Sequence, residues 1–275
     1  MTNVPDLTEL LANAPTNWGD DPVWPGRSPA EREMVMDESI WDREDAPQLP
    51  GALHFADDKI EAFLQGPTQY DALGHVWCDG KLWNGYDART TVGGLEKASV
   101  EPIAQRDVVG TGVLHDMARY FGVEAMEAKH TFDHTDLLAC AERQGVTIDK
   151  RYILLIRTNH LQLFFEQGEK FYEDFCEPGL EYSPELVQWF AELEIPNLVT
   201  VTIANEVTMD PSTGTALVLH NALMRTLGIA FTEICDPESL AEACDREGRY
   251  KFCYIAARLK IHRAAGSPVN PIALL

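Results

Sequence analysis

Between Leu64 and Gly85 the chain reads LQGPTQYDALGHVWCDGKLWNG, a short passage dense in groups that can move a proton or hold a ligand. If LQGPTQYD is extended, a period of two puts Gln65, Pro67, Gln69 and Asp71 on one face. A helical turn beginning at Asp71 would bring His75, four residues on, to the same side. A carboxylate beside an imidazole makes an acid/base pair, because the anion raises the histidine toward neutrality and fixes its tautomer. The same residues also read as a Gly-Pro-Thr turn with Asp71 capping a helix, and spacing alone does not choose between the two. Tyr70, Trp77, Trp83 and Tyr86 can line a pocket for an aromatic substrate or simply fill core.

Several elements must position these groups. Short apolar runs read as strands at 54–64, 108–114, 152–158, 198–204, 229–234 and 251–261. Helices carry punctuation: Ser183-Pro184-Glu185 opens one that stops at Pro196, and Asp236-Pro237-Glu238 opens another that stops at Gly248. A third helix is expected from about Thr215 to Leu227, ending at Gly228. It would carry His220, just before the strand that carries Glu233. This second His/carboxylate pair reads equally as a helix-surface histidine and a strand-end acid. Arg157 either binds a carboxylate substrate or closes its strand with an ion pair, and Asp116 and Arg119 fit a helix-start acid and its partner. Residues 1–53, rich in Pro, Asp, Glu and Trp, lack sustained periodicity and are expected to form an arm wrapping the body or a second subunit, with an α/β domain over 54–275.

Composition narrows the partners. The chain has 275 residues with 44 acidic against 22 basic, a formal net charge of -22, so its average field repels phosphate backbones and anionic lipid. Nucleic acid and membrane are poor partners, which leaves a small-molecule substrate. The N-terminus lacks the features of a secretion signal, and no run approaches the roughly 18 apolar residues of a membrane span, so a cytoplasmic location is expected. Six scattered cysteines without a CxxC pair are expected as free thiols.

Five segments in order resemble the cyclase family of metal-dependent hydrolases, which includes kynurenine formamidases and isatin hydrolases. The opening stretch is similar to the pattern H-x-G-T-H-x-D-A-x-x-H, VVGTGVLHDMARYFG to G-V-L-L-D, and YILLIRT to L-L-R-T-G. VLHNALMRTLGIAFTEICDPESLAEAC resembles the later H-x-x-L-L…G-x-x-x-x-E block, and GSPVNPIALL the S-P-V-N-P ending. The resemblance spans about Ala56 to Leu275.

It implies an α/β fold of swivelling β/β/α type, one domain with a central mixed, partly barrel-like sheet flanked by helices, assembled as a homodimer or homotetramer. It implies that Asp71 stands for a metal-binding aspartate, His75 for the catalytic histidine, and His220 and Glu233 for the late active-site pair. Gln65 and Gln69 occupy the positions of two metal-binding histidines, and with Trp77 and Tyr70 they are also candidates for binding substrate or the developing oxyanion. An amide oxygen is a harder, weaker ligand than imidazole, so manganese or magnesium is favoured over zinc, or no metal is held; no nucleotide cofactor is expected. Three functions fit: hydrolysis of an amide, lactam or lactone bond with a metal on Asp71, Gln65 and Gln69; a metal-independent lyase, isomerase or cyclase reaction using a His/carboxylate base; and small-molecule binding without catalysis.

Overall fold

The computed structural model describes residues 31–275 apart from 48, 52 and 174, and the chain divides between Gly66 and Pro67 into two units. In the first, β1 (Glu31–Met36) pairs antiparallel with β2 (Asp57–Glu61), with a register shift between Met34 and Met36. The strand expected over 54–64 is thus shorter, and it joins this ribbon, not the core sheet. Its sequence DDKIE explains why: a single apolar side chain gives the strand no face to bury, and all of β2 is exposed. Residues 1–30 of the expected arm lie outside the described residues.

The second unit carries β3 (Gln69–Asp71), β4 (Val108–Asp116), β5 (Thr131–Phe132), β6 (Ile153–Arg157), β7 (Gly179–Leu180), β8 (Asn197–Thr200), β9 (Ala230–Glu233), β10 (Lys251–Ala256), β11 (Gly266–Pro268) and β12 (Ile272–Leu274). Eight of these form one sheet in the order β11-β3-β9-β8-β6-β4-β10-β12, while β5 and β7 make a separate parallel pair. The four central strands β4, β6, β8 and β9 run parallel and the outer ones antiparallel. Their apolar runs are those of strands covered on both faces.

The sheet curls until its ends nearly meet. Arg258, just past β10, bridges Val269, just past β11, and the Leu259 N–H donates to Ser267 Oγ at 2.9 Å. This half-closed barrel is the mixed, helix-flanked sheet expected of the family. It is flanked by α1 (His134–Arg143), α2 (His160–Gln167), α3 (Pro184–Leu193) and α4 (Glu238–Glu247), the last beside Leu155 and Tyr254. Leu154, Ile156, Leu198 and Phe231 of the sheet meet Leu137, Leu186 and Phe190 of the helices in one buried core. Burying such a side chain stabilises the fold by roughly 2 kcal/mol.

Helix boundaries follow their caps. Ser183 Oγ accepts from the Leu186 N–H at 3.1 Å, as its sequence position predicts. Asp236 accepts from the Glu238 N–H at 3.1 Å, and α4 starts one residue later than expected, after Pro237. The third expected helix differs more: Ala216 is in an extended bridge with Met209, Leu217 is left-handed, and the segment His220–Leu227 is wound as a π-helix. Arg157 takes the structural alternative, donating to Asp116 at 2.7 Å and to Glu238 at 2.6 Å.

His115 on β4 is wholly buried, and burial pushes its imidazole down to about 4. Unfolded, a histidine titrates at about 6.5. Between those values the unfolded chain binds a proton that the folded chain refuses, so this residue makes stability fall as pH drops from about 6.5 toward 4. Urea melts at pH 7 and pH 5 should show a smaller acid loss for His115→Met than for the parent protein; equal losses would contradict this.

Candidate active site

Strand pairing assembles the site. Gln69 and Asp71 project from one face of β3, and Glu233 of β9 lies directly opposite Gln69 in the antiparallel ladder, so its side chain emerges on that face too. Gln69 Nε2 donates to Glu233 Oε2 at 2.8 Å, and Asn205 Nδ2 donates to Glu233 Oε1 at 2.9 Å. His220 Nε2 stands 3.4 Å from the same Oε1. One ligand atom from each of Asp71, His220 and Glu233 lies within 4.8 Å of the others, and all three residues are buried.

Glu206 fixes the histidine. Its carboxyl accepts from the Leu219 N–H at 2.6 Å and the His220 N–H at 2.8 Å, and it stands 2.7 Å from His220 Nδ1. The first two contacts satisfy donors that a helix start leaves open. The third sets the ring, whose far nitrogen then faces Glu233, and the ring packs edge-on against Phe231 at 4.9 Å between centroids. These bonds explain why helical winding begins at Leu219 and His220 and not near Thr215. Glu206 is itself held by a bridge to Leu180, which requires the adjacent Gly179, because a Cβ there would collide with the Glu206 backbone.

The electrostatics are those of an acceptor-rich pit. Asp71 Oδ1 and Oδ2, Gln69 Oε1 and Asn205 Oδ1 are buried without a hydrogen-bond donor. Burial, reinforced by Glu233, raises Asp71 well above the usual carboxylate range. Burial would lower His220, but Glu206 and Glu233 outweigh it and push it up to about 10. Glu177, whose carboxyl accepts from the Ile203 N–H at 2.9 Å, is pushed by burial up to about 8, with Glu233 adding to the rise. Such a pit calls for positive charge, and the donor set fits a hard divalent cation: two carboxyl groups, one oriented imidazole and neighbouring amide oxygens.

His75 sits at the edge. The chain after Asp71 forms a turn, with the His75 N–H donating to Ala72 O at 2.8 Å, and not the helical turn expected. Asp71 is not its hydrogen-bonding partner; His75 is half-buried, lowered by burial and acted on by Glu233 and His220. The turn is seated by Gly74, where a Cβ would press on Leu95 and on the backbone at Lys97 and Ala98.

The structure therefore brings together Gln69, Asp71, His220 and Glu233, with His75 near them. Tyr70 points to the opposite face of β3, under Arg258, and Trp77 is 48% exposed. Gln65 belongs to the N-terminal unit, in the turn after β2. Sequence reasoning missed Asn205, Glu206 and Glu177. The dipeptide Asn205-Glu206 just beyond a parallel strand was the available signal, since polar side chains at the carboxyl ends of such strands build ligand sites.

Glu206→Ala should cost about 3 kcal/mol in urea unfolding, because it strands buried donors on Leu219 and His220. Glu206→Gln, which keeps one acceptor oxygen, should cost less. A loss within error of zero for Glu206→Ala would show that this carboxyl does not anchor the segment.

Comparison with known proteins agrees with this architecture. The model of the cyclase family matches residues 6–216. A solved structure described as a novel cyclase is 31% identical, covering 92% of this chain and 84% of its own, with a TM-score of 0.79. Isatin hydrolase A from Ralstonia solanacearum, 19% identical over 90% of this chain and 82% of its own, superposes with a TM-score of 0.65. Isatin hydrolase A from Labrenzia aggregata, bound to benzyl benzoate, is 18% identical over 94% and 89%, with a TM-score of 0.59. At these identities the two isatin hydrolases share the fold. A search of the curated proteins finds no match. Since the family match spans well over half of the 275 residues and the 31% identical cyclase structure covers 92% of the chain, this chain belongs to the cyclase family.

Proposed function

We propose that the chain is a hydrolase that opens an amide, lactam or lactone bond in a small aromatic substrate. The observation that carries this reading is the pair of unpartnered Asp71 oxygens beside His220 Nε2 and Glu233, with a half-buried histidine at the rim. The fold shared with two isatin hydrolases supports it.

Asp71, His220 and Glu233 would hold a divalent metal, and their oxygen-rich composition favours manganese or magnesium over zinc. When bound, such an ion supplies Lewis-acid polarisation of the carbonyl and a more acidic water. The residues of the chain do the rest. Glu206 holds Nδ1 of His220 so that Nε2 stays directed inward. Gln69 and Asn205 clamp the two oxygens of Glu233 by their amide N–H groups and so fix its orientation. His75, lowered below its ordinary value by burial, is neutral at pH 7 and can take a proton at one ring nitrogen and return it to the leaving group. Gln69 thus clamps Glu233 through its amide N–H while its Oε1 stays free beside the ion's place.

A second reading has its own support. His220, held near both Glu206 and Glu233, balances charge in the pit when protonated, and that arrangement suits a metal-independent lyase, isomerase or cyclase with His75 as base.

Elemental analysis of protein purified without chelator, paired with turnover of amide, lactone and ester substrates, tests the two. The hydrolase reading expects about one manganese or magnesium per chain, metal loss in Asp71→Asn, and His75→Ala that keeps its metal while turnover falls about 10²–10⁴-fold. Chelator-resistant turnover with no metal bound would favour the second reading. Absence of hydrolysis across those substrates by the metal-loaded protein would reject the first.

A further inference from the structure

On the opposite face of β3 lies a guanidinium that finds no hydrogen-bond acceptor among the described residues, although Asp107 acts on it electrostatically. Arg258 is 5% exposed, and its Nε, Nη1 and Nη2 have no hydrogen-bond acceptor. Its guanidinium lies over the Tyr70 ring, 3.8 Å from the centroid, an attraction that leaves the N–H groups around its edge unsatisfied. The nearby acid, Asp107, is exposed and accepts instead from the Arg258 main-chain N–H at 3.3 Å. Tyr254 of β10 is 1% exposed, its hydroxyl lies toward Thr232, and its field acts on Arg258 and Tyr70.

These groups sit inside the curl of the sheet. Tyr70 and Thr232, paired in the ladder, face away from Gln69 and Glu233, and Tyr254 lies toward Thr232 on that face. The backbone bridge between Arg258 and Val269 fixes the arginine where the two sheet ends approach. The guanidinium therefore offers several buried N–H donors that no described residue accepts. A buried, uncompensated charge costs several kcal/mol, and a partner of opposite charge with hydrogen-bond acceptors offsets that cost.

We propose that Arg258 binds one small anion, of the size of chloride or formate, at the edge of the Tyr70 ring where the two sheet ends approach. The free groups are N–H donors, so the ligand is an acceptor. The near-complete burial of the arginine limits it to a few atoms. It would sit across β3 from the acceptor-rich pit and bind independently of any substrate there.

Thermal melts of the full chain at fixed sodium concentration, with chloride, formate or a bulky sulfonate as the anion, test this. The midpoint should rise roughly 3 °C at ten times the dissociation constant in chloride or formate and stay flat in the sulfonate. The larger of the two shifts identifies a halide or a carboxylate as the preferred occupant. In Arg258→Met, which replaces the charge by an apolar chain of similar length, the anion dependence should vanish. Crystals soaked in bromide should show anomalous density within hydrogen-bonding distance of the guanidinium, a measurement that stands even if the variant does not fold. Equal midpoints for the parent protein in all three salts, an unchanged anion response in Arg258→Met, or water alone against Arg258 in the bromide crystals would overturn the proposal.

Discussion

The carboxyl group of Glu206 is the constraint on which the rest of the site depends. It takes two main-chain donors at the start of a helical segment and a ring nitrogen from the same segment, at 2.6 to 2.8 Å. A single buried side chain thereby decides where winding begins, which ring nitrogen points inward and how close His220 comes to Glu233. The π-wound segment follows from this tether, because its first turn answers to a group fourteen residues upstream and not to its own cap alone. The tether rests in turn on Gly179, whose missing side chain admits the Glu206 backbone.

Around that anchor the polar groups divide their work. Amide N–H groups from Gln69 and Asn205 are consumed in holding Glu233, which leaves oxygens, not nitrogens, turned to the remaining space. The Gln69 amide thus turns its N–H to Glu233 and leaves its oxygen bare in the pit. His75 lies at the edge of this cluster, half-buried in a turn of its own and within reach of the fields of Glu233 and His220.

Much of this frame was legible because it depends on short-range patterns. The apolar runs of β4, β6, β8 and β9 declare buried parallel strands, Ser183 and Gly228 mark helix ends by their own chemistry, and the family's segments locate Asp71, His75, His220 and Glu233. What stayed hidden depends on distant partners. The direction of the Gln69 amide is set by a residue 164 positions away, and Asn205 and Glu206 lie in an irregular bend with no period to betray them. The segment 54–64 misleads for a different reason: its charged residues make a ribbon possible, but only the pairing with β1 shows where it goes. Tyr70 looked like a pocket wall because it neighbours Asp71, whereas the pleat sends it to the other side.

That pleat has a consequence for folding. Two successive residues of β3 sit in compartments of opposite polarity, Asp71 among bare oxygens and Tyr70 beneath a bare guanidinium. A slip of the strand by one residue would exchange the faces, carrying a carboxyl into the cationic interior and a phenol into the anionic pit. In most sheets such an error is penalised through misplaced apolar groups. Here β3 is only three residues long, too short for hydrophobic pattern alone to specify its alignment, and a carboxyl beside the guanidinium would be an attraction, so the register rests on its ladder partners: the Gln69–Glu233 hydrogen bond on one edge and the pairing with Gly266–Pro268 on the other.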